Sequence, residues 1–487
     1  MIIGLDVGGT NIDTVILDNN EIIYTKKTEL NKEKIIESII NALKNTLENI
    51  NNSDIDLIVL STTVITNAVL HKEYEKVGLM IESGPGKKVD IDDEKAFIYK
   101  LDGYIDHRGR ERQKLDIEQV ENGIKFFNDN EIKYGAAVTK FSVRNDKHEK
   151  IIADHMDKDM NFNTLGHEMS GELNFPRRLN TAFLNSSVYK LNKKFYENVL
   201  NVLNQMNINS PIYLLKADGG NSLFKSSINL GVKSIKSGPA ASIMGGKALG
   251  SDHKNIDEVI IDIGGTTTDI SFLVNGEAVY ERKGVEINGI KTLVKGLYTR
   301  SIGVGGNSLI QYKNGELMYG PESVRAAAFE GNGVTPTDAM IYLEKINIGN
   351  QNLAEKYLIK LAKKMNMKNI DNLAEKILNK MSKKIINNIY KYLNKVNNRP
   401  VYTINKLLNG KKIKPENLII IGGPAAVLKK YLEKYININV ELPDYYDVAN
   451  SLGAALSRVT TELTLVADTS RGILSIAESG FEKRINN

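Results

Sequence analysis

The sequence contains no cysteine among its 487 residues, and it has six histidines. Without cysteine the chain can form no disulfide bond, and it offers no thiolate as a nucleophile or as a ligand for zinc or an iron–sulfur cluster. Four histidines fall in the middle segment but lack the i, i+4 spacing of a helical metal pair. We interpret these four as surface or core residues: His107, His148, His155 and His167.

Long apolar runs and concentrated positive charge are also missing. No apolar stretch approaches the ~20 residues that cross a bilayer, and the first residues indicate a strand without a basic leader. The net charge of +5 is spread over many lysines, with no basic stripe interleaved with aromatic residues. We therefore expect a cytoplasmic protein that binds neither membrane nor nucleic acid.

The remaining composition is that of an ordinary globular protein, with 41% hydrophobic and 25% charged residues. A chain of 487 residues is too long for one hydrophobic core. We therefore expect two lobes.

A glycine motif near the middle of the chain, Asp262-Ile-Gly-Gly-Thr-Thr-Thr-Asp269, lies between the apolar runs 258–261 and 270–274. This pattern predicts two strands joined by a tight turn of residues that tolerate positive φ. Such a turn can offer backbone N–H groups to phosphate oxygens, while the first aspartate holds Mg²⁺ through water. An ordinary hairpin would explain a single copy equally well.

The chain also opens on this motif, with Asp6-Val-Gly-Gly-Thr10 before the returning strand 14–17. In both copies an aspartate, Asp13 or Asp269, follows three residues after the first threonine. Chance pairing of two such hairpins is a poor explanation. Internal duplication that produces a two-lobed nucleotide clamp accounts for the repeat better.

Strands and helices alternate after the first hairpin. Residues 32–50 have the apolar spacing of an amphipathic helix, and the buried strand 55–60 runs into Ser61-Thr-Thr-Val-Ile-Thr-Asn67. This order indicates an α/β sheet, where ligands bind at the carboxyl ends of strands. Thr62, Thr63 and Asn67 fit that position, although an N-cap cluster that opens a helix would look the same.

Two further glycine-rich loops occur in the second half, on either side of a helical run at 352–408 with a break near Asn369. The loop Ser301-Ile-Gly-Val-Gly-Gly-Asn-Ser308 is weak evidence when taken alone. The second follows an apolar strand, as Ile421-Gly-Gly-Pro424, and exposes backbone suited to a nucleobase and its ribose. The helix Ala449-Asn-Ser-Leu-Gly-Ala-Ala-Leu456 has small residues that allow close packing.

Taken in order, these motifs resemble the phosphate-1, phosphate-2, adenosine and connect motifs of the actin, sugar-kinase and chaperone ATPase superfamily. Other segments are similar to the hydantoinase A/5-oxoprolinase family, and the resemblance runs from residue 1 to about 470. The segments that carry it are Thr62-Thr-Val-Ile-Thr-Asn-Ala-Val-Leu70, Asp218-Gly-Gly220, Ser237-Gly-Pro-Ala240, Gly303-Val-Gly-Gly-Asn-Ser308, Gly320-Pro-Glu-Ser323 and Thr335-Pro-Thr-Asp338.

The resemblance implies an α/β fold of two ribonuclease-H-like lobes, the actin-like ATPase fold, with a nucleotide cleft between them. We expect the first lobe at 1–250, with an α/β insertion at about 84–203. The second lobe is expected at 255–450, with its helical region at 352–408, and residues 451–487 are expected to return to the first lobe.

The resemblance also assigns site residues for ATP and Mg²⁺. Asp6 and Asp262 would hold the metal. The catalytic candidates are Asp13, Asp269, Thr62, Thr63 and Asn67. The candidates for nucleotide contact are Asp6, Gly8, Gly9, Thr10, Gly264, Gly265, Thr266, Thr267, Gly305, Gly306, Gly422 and Gly423.

In that family ATP phosphorylates the carbonyl oxygen of a cyclic amide, a hydantoin or a lactam, and hydrolysis then opens the ring. This chain departs from the family pattern at Tyr298-Thr-Arg300 and Ala327-Ala-Phe-Glu-Gly331, and it stops at Asn487 where members commonly continue into a further domain. We therefore expect it to act with a second hydantoinase-type subunit or as a homo-oligomer. A small-molecule kinase and a regulatory ATPase without ring opening are the alternatives.

Overall fold

The structure, a computed structural model, describes residues 1–9, 11–31, 34–47, 50–86, 89–250, 255–281, 283–346, 348–398, 412–469 and 472–485. The chain divides into two compact units, each built from several stretches of sequence. The first unit comprises Met1–Ser61, Gly238–Val279 and Leu297–Ser457. The second comprises Thr62–Ser237, Tyr280–Gly296 and Arg458–Asn487.

The first unit begins with a hairpin of Ile2–Val7 and Asn11–Asp18, which pair antiparallel. Glu21–Glu29 extends the sheet beyond the second strand, and Leu57–Thr62 lies beside the first. Both hairpin strands are rich in isoleucine, leucine and valine, which suit the buried positions of a pleated sheet. The amphipathic helix predicted over 32–50 is observed at Ile35–Leu47.

A second hairpin, formed by Asp257–Ile263 and Thr268–Val274, organises the other sheet of this unit. Pro415–Ile421 pairs parallel to its first strand, and Thr299–Ile302 pairs antiparallel to its second. One large apolar core covers this sheet. The helices of this core region are Pro336–Tyr342, Gln351–Lys364, Ile370–Asn397 and Ala425–Leu432.

The break predicted near Asn369 is present, because the Asn369 side chain caps Ile370–Asn397 by accepting the N–H of Asn372. The end of the predicted helical run, from residue 399, lies outside the described residues. The lobe boundaries at 1–250 and 255–450 stay a prediction.

The second unit is built on a parallel sheet in the order Phe162–Leu165, Tyr134–Thr139, Val77–Glu82 and Ala96–Lys100. Every residue of the two central strands is buried, as expected for a parallel sheet covered on both faces. The helices that accompany these strands are Ile117–Asp129, Lys147–Met156 and Phe175–Gln205.

Shorter elements complete both units. In the first unit they are Asn52–Asp54, Ser237–Leu249, Glu277–Ala278, Ser308–Lys313, Glu316–Ser323, Ala327–Phe329, Asn439–Glu441 and Ala449–Leu456. In the second unit they are Val64–His71, Tyr104–Ile105, Glu111–Gln113, Gly166–Met169, Ile212–Leu215, Asn221–Leu223, Phe224–Ser227, Ile228–Ser234, Glu286–Ile287, Ile290–Lys291, Leu465–Asp468, Ile473–Ile476, Ala477–Ser479 and Phe481–Arg484. Within the described ranges, no helix combines the length and the apolar character needed to cross a bilayer.

Buried histidine–carboxylate pairs connect the sheet and helices of the second unit. His148 Nδ1 lies 2.6 Å from Glu82 Oε2, and its Nε2 lies 3.0 Å from Glu111 Oε1. Burial alone would lower the pKa of His148, but the hydrogen bonds to Glu82 and Glu111 outweigh burial and raise it. The pairs therefore stabilise this unit most when His148 is protonated.

We expect the His148→Gln substitution to reduce the free energy of unfolding more at pH 6 than at pH 9. A histidine whose pKa is higher in the folded state gives its full stabilisation below the unfolded value of about 6.5, and this stabilisation is lost as pH rises through the folded pKa. Urea denaturation at both pH values measures the difference. His107→Gln is the control, because His107 is exposed, and an equal loss for His148→Gln at both pH values would contradict the prediction.

Candidate functional site

The two glycine turns of the first unit have matching backbone geometry. Asp6 lies opposite Asp13 across the first hairpin, and Asp262 lies opposite Asp269 across the second. The Gly8 N–H donates to the Asn11 carbonyl at 3.0 Å, and the Gly264 N–H donates to the Thr267 carbonyl at 2.9 Å. The repeat that was found in the sequence is therefore also a repeat of strand register and turn hydrogen bonding.

One amide links the aspartates of the two turns. The Asn450 side-chain N–H₂ donates to Asp262 Oδ2 at 3.1 Å and to Asp6 Oδ2 at 3.4 Å. The Ser242 hydroxyl also donates to Asp262 Oδ2, at 2.6 Å. The two carboxylates predicted to hold Mg²⁺ are thus brought together within one compact unit.

The pKa of Asp6 is raised to about 7, first by burial and then by the negative charges of Asp13 and Asp262. The nearby Ser61 hydroxyl and the Asn450 amide offset only part of this rise. Asp6 Oδ1 is buried and has no hydrogen-bond partner among the residues that the structure describes. A buried carboxylate with uncompensated charge fits a site for a cation.

Carboxylate oxygens are the protein ligands that Mg²⁺ takes, usually one or two per ion. In the described part of the chain, no group of three or more His, Cys, Asp or Glu side chains is arranged to hold a metal. Asp6 and Asp262 therefore fit Mg²⁺ only as a minority of its ligands, with water and nucleotide phosphates supplying the others.

The second aspartate of each hairpin, Asp13 or Asp269, has a different partner. Asp13 Oδ1 lies 2.8 Å from Lys27 Nζ, and Lys27 also donates to the Asp447 carbonyl at 2.8 Å. Burial raises the pKa of Asp13 even though Lys27 opposes the shift. Asp269 instead accepts a hydrogen bond from the Ser301 hydroxyl. The catalytic role predicted for Asp13 and Asp269 stays a prediction.

The glycines of the two turns do not have the positive φ that the sequence suggested. Gly8, Gly9, Gly264 and Gly265 are all absent from the left-handed region, so this interpretation was wrong. Their contribution is space, because a Cβ on Gly9 would meet nothing within 4 Å and a Cβ on Gly264 would meet only the Thr267 carbonyl, at 3.3 Å. Such turns leave backbone open to a ligand. Thr10 lies outside the described residues, and Thr266 is exposed at the second turn.

The loop around Gly305 and Gly306 packs on the second turn. The Gly306 N–H donates to the Gly264 carbonyl at 2.9 Å, and the Asn307 N–H donates to the Gly265 carbonyl at 2.6 Å. A Cβ on Gly305 would lie 2.6 Å from both acceptor oxygens. These glycines therefore fix the second turn through backbone contacts.

Gly422 brings the third glycine loop against the second hairpin. It has a φ of +93°, and its N–H donates to the Tyr446 carbonyl at 2.8 Å. A Cβ at Gly422 would lie 2.4 Å from the Ile263 carbonyl oxygen and 2.6 Å from Asp262 Oδ1. Gly423 is different, because a Cβ there would meet nothing within 4 Å.

Thr62, Thr63 and Asn67 belong to the second unit, where they open the helix Val64–His71. The buried Thr62 Oγ1 accepts the N–H of Val64 at 3.1 Å, and the Asn67 amide donates to Thr63 Oγ1 at 3.3 Å. These bonds support the helix-opening alternative, and a catalytic role for these residues stays a prediction.

Sequence reasoning missed the side chains that position the carboxylates, namely Asn450, Ser242 and Lys27. The small-residue helix that carries Asn450 was noticed, but only for its close packing. A polar residue within such a helix was the available signal, since it has little room to point anywhere except toward a neighbour.

Two solved structures define the class of fold. A nucleotide-free acetone carboxylase aligns with a TM-score of 0.77 at 15% identity, over 94% of this chain and 70% of that one. The ATP-dependent caprolactamase from Pseudomonas jessenii aligns with a TM-score of 0.73 at 20% identity, over 97% of this chain and 74% of that one. The predicted α/β fold is confirmed.

The chain belongs to the hydantoinase/oxoprolinase family. The family model "Hydantoinase/oxoprolinase" matches residues 178–463, and the model of the family's N-terminal region matches residues 2–160. The caprolactamase subunit alpha of Pseudomonas jessenii is 24% identical over 69% of this chain, and the 5-oxoprolinase of Saccharomyces cerevisiae is 28% identical over 50% of it. The matched regions span 53% and 19% of those two relatives.

We expect the Gly422→Ala substitution to destabilise the protein by about 3 kcal/mol or more, because it combines left-handed backbone strain with a clash against fixed backbone. Gly423→Ala is the matched control at the neighbouring position, and we expect a change within about 1 kcal/mol. Urea denaturation of both variants measures the difference. Similar stability of the two variants would contradict the close approach of this loop to Asp262.

Proposed function

We propose that this chain is an ATP-dependent amidohydrolase subunit that acts on a small cyclic amide, a hydantoin or a lactam. The observation that carries the proposal is the pair of matching hairpins whose aspartates share the Asn450 amide. Membership of the hydantoinase/oxoprolinase family and the printed activities of the two relatives supply the substrate class.

The nucleotide phosphates would bind against the two glycine turns, with Asp6 and Asp262 holding Mg²⁺. Bound Mg²⁺ neutralises the charge of the transferred phosphoryl group and its oxygens. The turns supply backbone N–H groups and open space, and the Gly422–Gly423 loop is proposed to contact the base. The lobe boundaries at 1–250 and 255–450 belong to this proposal, because each lobe would then contain one hairpin.

The proposed reaction requires positioning more than covalent help from the protein. The γ-phosphorus leaves ADP and forms a bond to the amide carbonyl oxygen, which activates the carbonyl carbon. Water then adds to that carbon, and the ring C–N bond breaks as the nitrogen gains a proton, which leaves an acyl phosphate. A second water hydrolyses the acyl phosphate to the carboxylate and free phosphate. The sum is cyclic amide, ATP and two waters giving the ring-opened acid, ADP and phosphate. Asp13 and Asp269 are proposed to orient water or substrate.

Isotope tracing with γ-labelled ATP tests this reaction against its alternatives. We expect substrate-dependent release of labelled free phosphate together with an opened ring. Label in a stable phosphate ester would instead identify a small-molecule kinase. Slow phosphate release that no cyclic amide changes would identify a regulatory ATPase.

A partner requirement belongs to the same proposal. The caprolactamase relative is described as a subunit, and its matched region is 53% of its length. We expect weak ATPase activity from the purified chain, with stimulation by a second hydantoinase-type subunit or by self-association. Turnover of a lactam or hydantoin by the monomeric chain at about 1 s⁻¹ or faster, an ordinary enzyme rate, would overturn this requirement.

We expect Gly264→Val to abolish ATP binding while the protein remains folded. The valine side chain would occupy the open space beside the second turn and crowd the Thr267 carbonyl. Calorimetric titration with Mg-ATP gives the affinity, and circular dichroism checks the fold. Gly303→Val is the control, because a Cβ at Gly303 meets nothing within 4 Å and this glycine lies outside both turns. Undiminished affinity of a folded Gly264→Val protein would refute the phosphate site.

A further inference from the structure

The second unit contains a cavity of about 200 Å³ whose lining residues all belong to that unit. The lining includes the buried apolar residues Leu214, Val232 and Leu293, and we call the apolar part of the lining the apolar wall. The lining also includes hydroxyl and charged side chains, among them Lys216 and Lys233. Apolar side chains combined with a few polar groups are the usual lining of a small-molecule site.

Most of the charges around this cavity are compensated by neighbours. Lys216 Nζ donates to Asp218 Oδ2 at 3.2 Å and to the Thr460 carbonyl at 2.7 Å. Lys295 Nζ lies 2.5 Å from Glu172 Oε1 and 3.6 Å from Glu462 Oε1.

The remaining acidic group of the lining is also satisfied. Glu478 accepts the N–H of Gly171 at 2.8 Å and that of Thr464 at 3.0 Å. These bonds hold its carboxylate through backbone groups, and it forms no ion pair with a lysine among the described residues.

Lys233 is the exception among the lysines of the lining. Its ammonium has no hydrogen bond or ion pair within the described ranges, and the residue is partly buried. Burial lowers the pKa of Lys233, and Lys216 adds to that shift, while Glu462, Glu478 and Asp218 oppose it from a distance. A partly buried cation without a direct partner gains from a ligand that supplies an anion.

We propose that this cavity binds a small aliphatic carboxylate, with its hydrocarbon chain on the apolar wall and its carboxylate against the Lys233 ammonium. Binding of the carboxylate requires neither a nucleotide nor a reaction, so its test is independent of the ATP chemistry proposed above. The two proposals are compatible, because ring opening of a cyclic amide would release such a carboxylate.

Calorimetric or NMR titration of the full chain without nucleotide tests the proposal, with acetate, butyrate, hexanoate and hexylamine as probes. We expect saturable binding of hexanoate, and affinity that rises about fourfold with each added methylene until the apolar wall is covered. Hexylamine has the same chain length but the opposite charge, and we expect it not to bind.

Lys233→Met removes the charge and keeps the length of the side chain, so we expect at least about tenfold weaker hexanoate binding. Lys233→Arg retains the cation and should bind within a few-fold of the unchanged protein. Lys225→Met is the control, because Lys225 is exposed and does not line the cavity.

Three outcomes would overturn the proposal. They are no saturable hexanoate binding, equal binding of hexylamine, and unchanged affinity in Lys233→Met. Thermal unfolding of each variant checks that it is folded. If Lys233→Met does not fold, the chain-length series and the hexylamine comparison decide the matter on the unchanged protein.

Discussion

In the first unit, two aspartates from separate hairpins share one amide. Asp6 and Asp262 both accept hydrogen bonds from the Asn450 side chain. Carboxylates so placed repel each other, and the negative charges of Asp13 and Asp262 add to the effect of burial in raising the pKa of Asp6. A protein keeps such an arrangement when a cation or a dipole compensates the negative charge. Among the described residues, only the Asn450 amide is hydrogen-bonded to these aspartates of both hairpins.

The surrounding backbone makes this arrangement rigid. The loop at Gly305 and Gly306 donates two N–H groups to the second turn, and Gly422 packs so closely that a methyl group would collide with Asp262. Two further glycine loops therefore pack against the hairpin that carries Asp262. Rigid placement of charge is what electrostatic stabilisation of a phosphoryl group requires, because the site then needs no reorganisation during transfer.

Much of this could be predicted from the sequence, because both hairpins have a local signature. Apolar runs flank an Asp-x-Gly-Gly-Thr turn, and the register that sets Asp262 opposite Asp269 follows from the short loop. The φ values of the turn glycines were not predictable, since glycine permits both signs and the chain used the negative one. Asn450 was missed because its partners are distant in sequence. The periodicity of apolar residues predicts local elements, and it does not predict a contact between residues 6 and 450. The cavity around Lys233 was missed for the same reason, since its walls come from segments scattered from Met169 to Glu478.

The two hairpins are equal in backbone but differ in the partners of Asp13 and Asp269. In the first, Lys27 forms an ion pair with Asp13 and also donates to the Asp447 carbonyl. In the second, Asp269 accepts a hydrogen bond from the Ser301 hydroxyl. The duplicated motif therefore keeps its strand register while the side chains around the corresponding aspartates differ. Burial raises the pKa of Asp13 even though Lys27 opposes the shift, so the ion pair alone does not decide between Asp13 and Asp269 as the group that acts on water in the proposed reaction.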